Sequence, residues 1–144
     1  MREILFKAKE VDSGEWVEGY LVRIDEETCF IASEYDILAA YTDNRGTYDG
    51  WMSAIDQETI CQYTGLTDKN GNKIWENDVV RYEDDLSNML KEDLIVWNET
   101  HAAFTRLHKS KMGLQYLYID EFIASNSEVI GNIFDNPELL KVGD

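Results

Sequence analysis

Short runs of alternating apolar and polar residues constrain this chain more than any other feature of its sequence. Residues 4–9 and 16–24 both have this alternation, and a turn that contains Gly14 separates them. Successive side chains of a β-strand point to opposite faces, so the pattern predicts a β-hairpin. Similar runs recur at roughly ten-residue spacing, and the chain contains one Pro and nine Gly. The sequence therefore predicts a mainly β fold, a barrel or sandwich of short antiparallel strands.

Later segments have the β-branched and aromatic content of strands. They are residues 28–32, 58–63, 79–82, 94–97, 103–107, 114–119 and 128–134. Asn70-Gly71 is typical of a type I′ turn, and a second turn is predicted at residues 76–78. Minor helical turns are predicted at residues 120–124 and 137–140, the latter with Asn136 as N-cap and Pro at its first position.

Two segments have no clear strand pattern. The sequence predicts a long connection over residues 34–57, with a possible short helix at 35–41. Connections of this length often carry function. Residues 83–93 predict an acidic loop in which Leu86, Met89 and Leu90 could form one helical turn.

The charge of the chain excludes most nucleic-acid binding. Twenty-nine acidic residues against thirteen Lys and Arg give a net charge of −16, whereas binding to phosphate backbones depends on cationic side chains. Acidic proteins can still bind basic proteins or imitate DNA. One local exception is a positive patch, for which a solvated loop is the simpler interpretation; it consists of Arg106, His108, Lys109 and Lys111.

Nothing in the sequence indicates a membrane or an export signal. The longest apolar run, residues 37–41, is too short to cross a bilayer, and charges throughout residues 1–20 argue against a signal peptide. Two cysteines are too few for a disulfide framework. These features predict a cytoplasmic protein.

The sequence offers few candidates for catalysis. Cysteine–histidine catalysis needs a thiolate beside a base, but Cys29 and Cys61 lie in apolar strand patterns that are typical of buried cysteine. His101 lies beside Glu99, where a surface or capping role is the simpler interpretation. Known phosphate-binding, dinucleotide-binding and hydrolase motifs are absent from the sequence.

Metal binding has equally weak support. A calcium loop that began at Asp68 would need Gly and Glu where Lys73 and Val79 stand. Asp84 and Asp85, with Asp93 or Glu83, could supply oxygen ligands, but solvated turns account for such acids more simply. The sequence therefore predicts no catalytic, cofactor-binding or metal-binding residue and no cofactor.

Three blocks of sequence, residues 6–20, 63–80 and 128–140, resemble the YopX family of phage and prophage proteins. The middle block is the most distinctive and reads Tyr-Thr-Gly-Leu-Thr-Asp-Lys-Asn-Gly-Asn-Lys-Ile-Trp-Glu-Asn-Asp-Val-Val. The resemblance implies a bacteriophage or prophage origin and a small SH3-like barrel or roll. It implies a single domain over residues 1–144, with a possible N-terminal β subregion at 1–57 and a barrel region at 58–136. It implies no activity and no site residues.

The middle block also has a structural explanation. Gly65 and Gly71 suit positive φ angles, while the turn at residues 76–78 could be stabilised by side-chain to backbone hydrogen bonds. Ile74, Val79 and Val80 are expected in the core. A ligand site remains the alternative interpretation.

The sequence leaves three functional hypotheses. The first is a non-enzymatic accessory protein that forms a homo-oligomer or binds a host or phage protein, for example by pairing a strand edge such as residues 94–97 between subunits. The second is an acidic inhibitor that mimics nucleic acid on a host enzyme. The third is a small hydrolase that uses carboxylates.

Overall fold

The structure is a computed structural model that describes residues 1–34 and 53–140. The chain forms two compact units, Met1–Gln62 and Tyr63–Asp144. Most of the 34–57 connection, including the helix predicted at 35–41, lies outside the described residues.

The first unit contains the predicted N-terminal hairpin. Strands β1 (Phe6–Lys9) and β2 (Trp16–Arg23) pair antiparallel, and β3 (Cys29–Ala32) and β4 (Ser53–Ala54) extend the sheet beyond β2. On the other side of β1 lies the start of β5 (Cys61–Thr67). Residues of β1, β3 and the segment after β4 form the core of this unit: Ala8, Cys29, Ile31 and Ile55.

Strand β5 begins three residues later than the sequence predicts. A 3₁₀ helix occupies Gln57–Thr59, where Asp56 caps the turn by accepting a hydrogen bond from the Glu58 N–H. The capping group explains the difference, because an Asp side chain that bonds the backbone two residues on favours a turn over an extended strand.

The second unit consists of a short hairpin and a five-stranded antiparallel sheet. The rest of β5 pairs with β6 (Lys73–Trp75). The sheet has the order β10-β9-β8-β7-β11. Its elements are β7 (Asp78–Asp84), β8 (Met89–Asn98), β9 (Ala103–Ser110), β10 (Gly113–Tyr118), α1 (Glu121–Ser125), β11 (Ser127–Asn132) and a final 3₁₀ helix (Pro137–Leu140).

The two faces of the five-stranded sheet differ. The inner face carries the buried core of the unit: Val80 and Ile95 are fully buried and pack with Ile74 of β6 and Ala124 of α1. The outer face carries Val79, Leu94, Leu107 and Tyr116, which the strand register places side by side. The prediction that Ile74, Val79 and Val80 lie in the core is confirmed.

The acidic loop and helical turn predicted for residues 83–93 are wrong. Strands β7 and β8 continue through most of this segment, and their register pairs Glu83 with Leu90 and Asp84 with Met89. Leu86 is almost fully exposed in the connecting turn. Leu86, Met89 and Leu90 have the spacing of a helix face, but all three are exposed. Apolar periodicity indicates a helix only where the apolar residues are buried against a core.

Residues 68–72 form a turn that the buried carboxylate of Asp68 stabilises. Gly71 has the expected positive φ, but Asn70 does not, so the predicted type I′ turn is wrong. The Asp68 carboxylate accepts hydrogen bonds from the N–H groups of Asn70 and Asn72 and, from across the unit, the N–H of Val129. These bonds fix an Asx-type turn, which does not need positive φ at two successive residues.

Other turn and helix predictions are largely confirmed. Gly65 has positive φ at a register shift in β5, and Asp78 accepts a hydrogen bond from the Trp75 N–H across the turn at 76–78. The helical turns near 120–124 and 137–140 are present. The side chain of Asn136 accepts a hydrogen bond from the Asn132 N–H instead of capping the last helix.

The mainly β prediction is confirmed, but the SH3-like barrel is not. Within residues 1–34 and 53–140, neither antiparallel sheet closes on itself. Residues 94–97 belong to the central strand β8, between β7 and β9, so the prediction that they form a free edge is wrong.

We predict that Asp68→Asn lowers the free energy of unfolding at pH 7 by about 2–3 kcal/mol, because it leaves buried backbone N–H groups without a charged acceptor. Burial raises the pKa of Asp68, but the backbone N–H groups of Val129, Asn72 and Asn70 outweigh burial and hold that pKa below its usual range. The carboxylate therefore stabilises the fold fully above its unfolded pKa, and this contribution is lost as the pH falls through the folded pKa.

Urea unfolding at pH 7 and at pH 3 measures both effects. The difference between the native chain and Asp68→Asn should be smaller at pH 3. Asp85→Asn, which changes an exposed carboxylate in the β7–β8 turn, is the matched control and should change stability by less than about 0.5 kcal/mol. An equal effect of the two substitutions would contradict the role given to Asp68.

Candidate interaction surface

Strand β10 is an open edge of the five-stranded sheet and carries exposed apolar side chains. It pairs with β9 in an uninterrupted register from Gly113 to Tyr118, and among the described residues no strand pairs with its other side. Leu114, Tyr116 and Tyr118 alternate along the outer face and are 62%, 58% and 71% exposed. A row of large apolar groups at a sheet edge is a typical feature of interaction surfaces.

The apolar surface continues from β10 across the outer face. Leu94 of β8, Leu107 of β9 and Leu114 of β10 line a cleft of about 130 Å³, which Leu139 and Leu140 of the last 3₁₀ helix border. Gly131 permits this packing, because a Cβ there would clash with Asn136 and Leu139. We call Leu94, Leu107, Leu114, Tyr116 and Tyr118 the outer apolar strip.

The opposite edge of the same sheet is covered. The Asp68 turn lies along β11, where Asp68 accepts from the Val129 N–H and the Lys69 N–H donates to the Ser127 carbonyl. Strand β11 also has a register shift between Val129 and Gly131. Covering strands and irregular pairing are two ways in which proteins prevent unwanted edge pairing. Strand β10 has neither among the described residues.

A buried ion-pair network supports the inner side of β9 and β10. Asp93 of β8 is fully buried; its carboxylate contacts Arg106 Nη1 at 3.2 Å and His108 Nδ1 at 2.6 Å. Arg106 also donates from Nε to the carbonyl of Tyr118 and lies over the ring of Tyr82. The network therefore connects four neighbouring strands and fixes the end of β10.

The same network changes the interpretation of the predicted positive patch. Arg106 and His108 are turned inward to Asp93, while Lys109 and Lys111 are exposed. Arg106, His108 and Lys109 lie on β9, where successive side chains point to opposite faces, and Lys111 lies in the turn that follows. These four residues are close in sequence but do not form one surface. The predicted patch is wrong for Arg106 and His108.

Tyr82 takes part in the network. Burial, the charge of Asp93 and a hydrogen bond with Asp93 all raise the pKa of its phenol, and the nearby Arg106 opposes them. Tyr82 therefore stays neutral at physiological pH. With an arginine, a histidine and a phenol around it, Asp93 is a satisfied buried charge.

The cysteine and histidine candidates have structural positions. Cys29 and Cys61 are buried, as their strand patterns predict. His101 is exposed beyond the end of β8 and contacts the side chain of Asn98 through its N–H and Nδ1, which agrees with a capping role.

The acidic residues considered as metal ligands are separated. Asp84 accepts hydrogen bonds from Ser87 and contacts Lys91, whereas Asp93 is committed to the inner network. Among the described residues, no group of three or more His, Cys, Asp and Glu side chains is placed to hold a metal ion.

Sequence reasoning missed the outer apolar strip. Residues 114–119 were identified as a strand, but nothing in one strand shows whether it lies at an edge. A signal was nevertheless present: β10 contains no charged residue in a chain in which 29% of residues are charged.

These features define a small, mainly β protein whose five-stranded sheet has one covered edge and, among the described residues, one open edge. The chain belongs to the YopX family, whose model, described as YopX protein, matches residues 5–141. Its fold is similar to the crystal structure of protein EF1440 from Enterococcus faecalis, with a TM-score of 0.52 and 20% identity over 98% of this chain and 100% of that chain. No curated protein matches the sequence. None of the helices in the described ranges is long and apolar enough to span a membrane.

We predict that Arg106→Met lowers the free energy of unfolding by about 3–5 kcal/mol, because it leaves the buried Asp93 carboxylate without its cationic partner. Arg81→Met is the matched control: it breaks the exposed ion pair between Arg81 and Glu92, for which the expected cost is below about 1 kcal/mol. Urea unfolding measures both variants. Similar losses would contradict the importance of the inner network.

Proposed function

We propose that this protein is a non-enzymatic protein-binding module whose binding surface is the outer apolar strip together with the open edge of β10. The observation that carries the proposal is the exposure of Leu114, Tyr116 and Tyr118 along one side of an uncharged edge strand. Membership in the YopX family gives no reaction and is compatible with this role.

The chemistry of the strip favours a protein partner. Tyrosine and leucine side chains provide large contact areas, and tyrosine adds a hydroxyl that can bind polar groups at the rim of an interface. The strand edge offers main-chain hydrogen bonds, which give affinity for an added strand. The surrounding chain is strongly acidic, with a net charge of −16, so a nucleic-acid partner is disfavoured.

The hydrolase hypothesis has less support. A catalytic carboxyl or imidazole group must reach the substrate. Asp93 and His108 form the described pair whose geometry comes nearest to a catalytic one, but Asp93 has no exposed surface and its oxygens already contact Arg106 and His108. We interpret the pair as structural.

The nucleic-acid mimic is the remaining alternative, and it differs from our proposal in a measurable way. Mimicry would use carboxylates against a basic cleft, and its affinity would fall steeply with salt. Binding through the outer apolar strip would depend on Leu114 and Tyr116 and would persist in high salt, because burial of apolar surface is not screened.

We predict that the variant Leu114→Lys with Tyr116→Lys weakens binding at least about tenfold, because it places charges in the centre of the proposed interface. The measurements are sedimentation velocity of the full chain and capture of proteins from a nuclease-treated bacterial lysate. The control is Leu86→Lys with Met89→Lys, which adds the same charge at residues that are 96% and 65% exposed.

The proposal requires a self-associated species or a captured protein that the first variant loses and the control keeps. A chain that is monomeric and captures nothing would overturn it. A captured basic protein that is released by high salt and retained by the Leu114 and Tyr116 variant would also overturn it, in favour of mimicry.

A further inference from the structure

We propose that the partner of β10 is a second copy of this chain, which adds its own β10 antiparallel to the first across a two-fold axis. This inference rests on the proposed function and names the occupant of the same surface. Three properties of the strand support it. Its edge is uncharged, its two ends carry opposite charges, and one antiparallel register places its outer apolar side chains opposite those of a second copy.

The edge itself is suited to strand addition. Natural proteins usually protect open edges with Lys, Pro, bulges or short strands. Residues Gly113–Tyr118 contain no Pro and no charged residue, and their register with β9 has no bulge. In an acidic chain, an edge strand without charged residues lets two copies approach with little electrostatic repulsion between the strands.

The ends of β10 have opposite charges. Lys109 and Lys111 precede the strand, Asp120 and Glu121 follow it, and all four are exposed. An antiparallel pair places the beginning of one strand beside the end of the other, so each basic end meets an acidic end. A parallel pair would place like charges together. The charge pattern is therefore self-complementary in the antiparallel arrangement alone.

The side chains also suggest a register. Directly opposed residues of antiparallel strands lie on the same face of a sheet. A two-fold axis at Tyr116 places Tyr116 opposite the partner's Tyr116 and Leu114 opposite the partner's Tyr118, so all three apolar residues of the outer face are opposed within the strand. An axis at Gln115 would leave Tyr118 opposite the partner's turn residue Met112, so the Tyr116 axis gives the better match.

In this register the outer apolar strips of two copies become continuous. The two five-stranded sheets would join into one sheet with ten strands. Such an interface is isologous, meaning that each copy contributes the same surface. Leu114, Tyr116 and Tyr118 of one copy would lie beside those of the other on the same face of the sheet.

Single cysteines test the register. Directly opposed residues in an antiparallel pair have Cα atoms about 4.5–5.5 Å apart, which lies within disulfide reach. Tyr116→Cys in the full chain should therefore oxidise to a disulfide-linked dimer, read by mass and non-reducing electrophoresis. Leu114→Cys is the matched control: it is equally exposed, but it would lie about 13 Å from its own copy. The native Cys29 and Cys61 are buried.

Charge reversal gives a second test, which does not alter the apolar strip. Lys111→Glu alone and Glu121→Lys alone should each weaken dimerisation about tenfold, because each dimer places the basic end of one β10 beside the acidic end of the other twice. The two reversals together restore opposite charges and should return the dissociation constant to within about twofold of the native value. Sedimentation equilibrium measures all four proteins.

The outcomes separate this inference from the proposed function. Cross-linking of Tyr116→Cys at least about tenfold faster than Leu114→Cys, with rescue by the double reversal, supports the dimer. Equal cross-linking by both cysteine variants overturns it. A dimer whose dissociation constant does not change on charge reversal also overturns it. A monomeric chain also overturns it, while a captured protein that is lost with Leu114→Lys and Tyr116→Lys would leave the proposed function standing.

Discussion

The five-stranded sheet depends on the burial of one carboxylate, that of Asp93. A buried charge is tolerated only when hydrogen bonds and opposite charge replace its water, and here Arg106, His108 and Tyr82 do so. Together with Asp93, these groups lie on three strands, β7, β8 and β9, and Arg106 also donates to the carbonyl of Tyr118 in β10. The strands must therefore meet in one register, because a slip of one residue would move Asp93 to the other face without its partners.

A second buried carboxylate determines how one edge of that sheet ends. Asp68 accepts hydrogen bonds within its own turn and from Val129, so the turn lies against β11 and covers it. The other edge, β10, is held in place by Arg106 but left open among the described residues. The two carboxylates thus have different consequences. Asp68 covers the β11 edge, whereas Asp93, through Arg106, positions β10, whose outer side chains are exposed.

The asymmetry between the edges is the basis of both proposals. An open, uncharged edge with three exposed apolar side chains is typical of an interaction surface. The charges at its ends restrict that partner further, because they match a second copy in one orientation. Both arguments use residues outside the distinctive middle block, residues 63–80. In that block, Asp68 and Asp78 accept backbone hydrogen bonds in turns, and Gly71 has the positive φ of a turn residue.

Local sequence was sufficient for the features that depend on neighbouring residues. The alternation in residues 4–9 and 16–24, the positive φ of Gly65 and Gly71 and the helical turns after Asp120 and Asn136 all follow from local sterics and hydrogen bonding. The β7–β8 hairpin was missed because Leu86, Met89 and Leu90 have helix-like spacing but no core to face. The 3₁₀ helix before β5 was missed because the Asp56 cap competes with a strand pattern.

The sequence by itself determined a mainly β chain, its turns, its acidic character and its membership in a family that the resemblance had indicated. Only the tertiary structure decided which strand is central and which is an edge, because strand order depends on pairings between distant segments. It also decided that Arg106 and His108 face Asp93 instead of a ligand, since the partner lies thirteen to fifteen residues away on another strand. The candidate surface on β10 is an edge because β11 pairs with the distant β7 and not with β10, and local patterns do not encode that pairing.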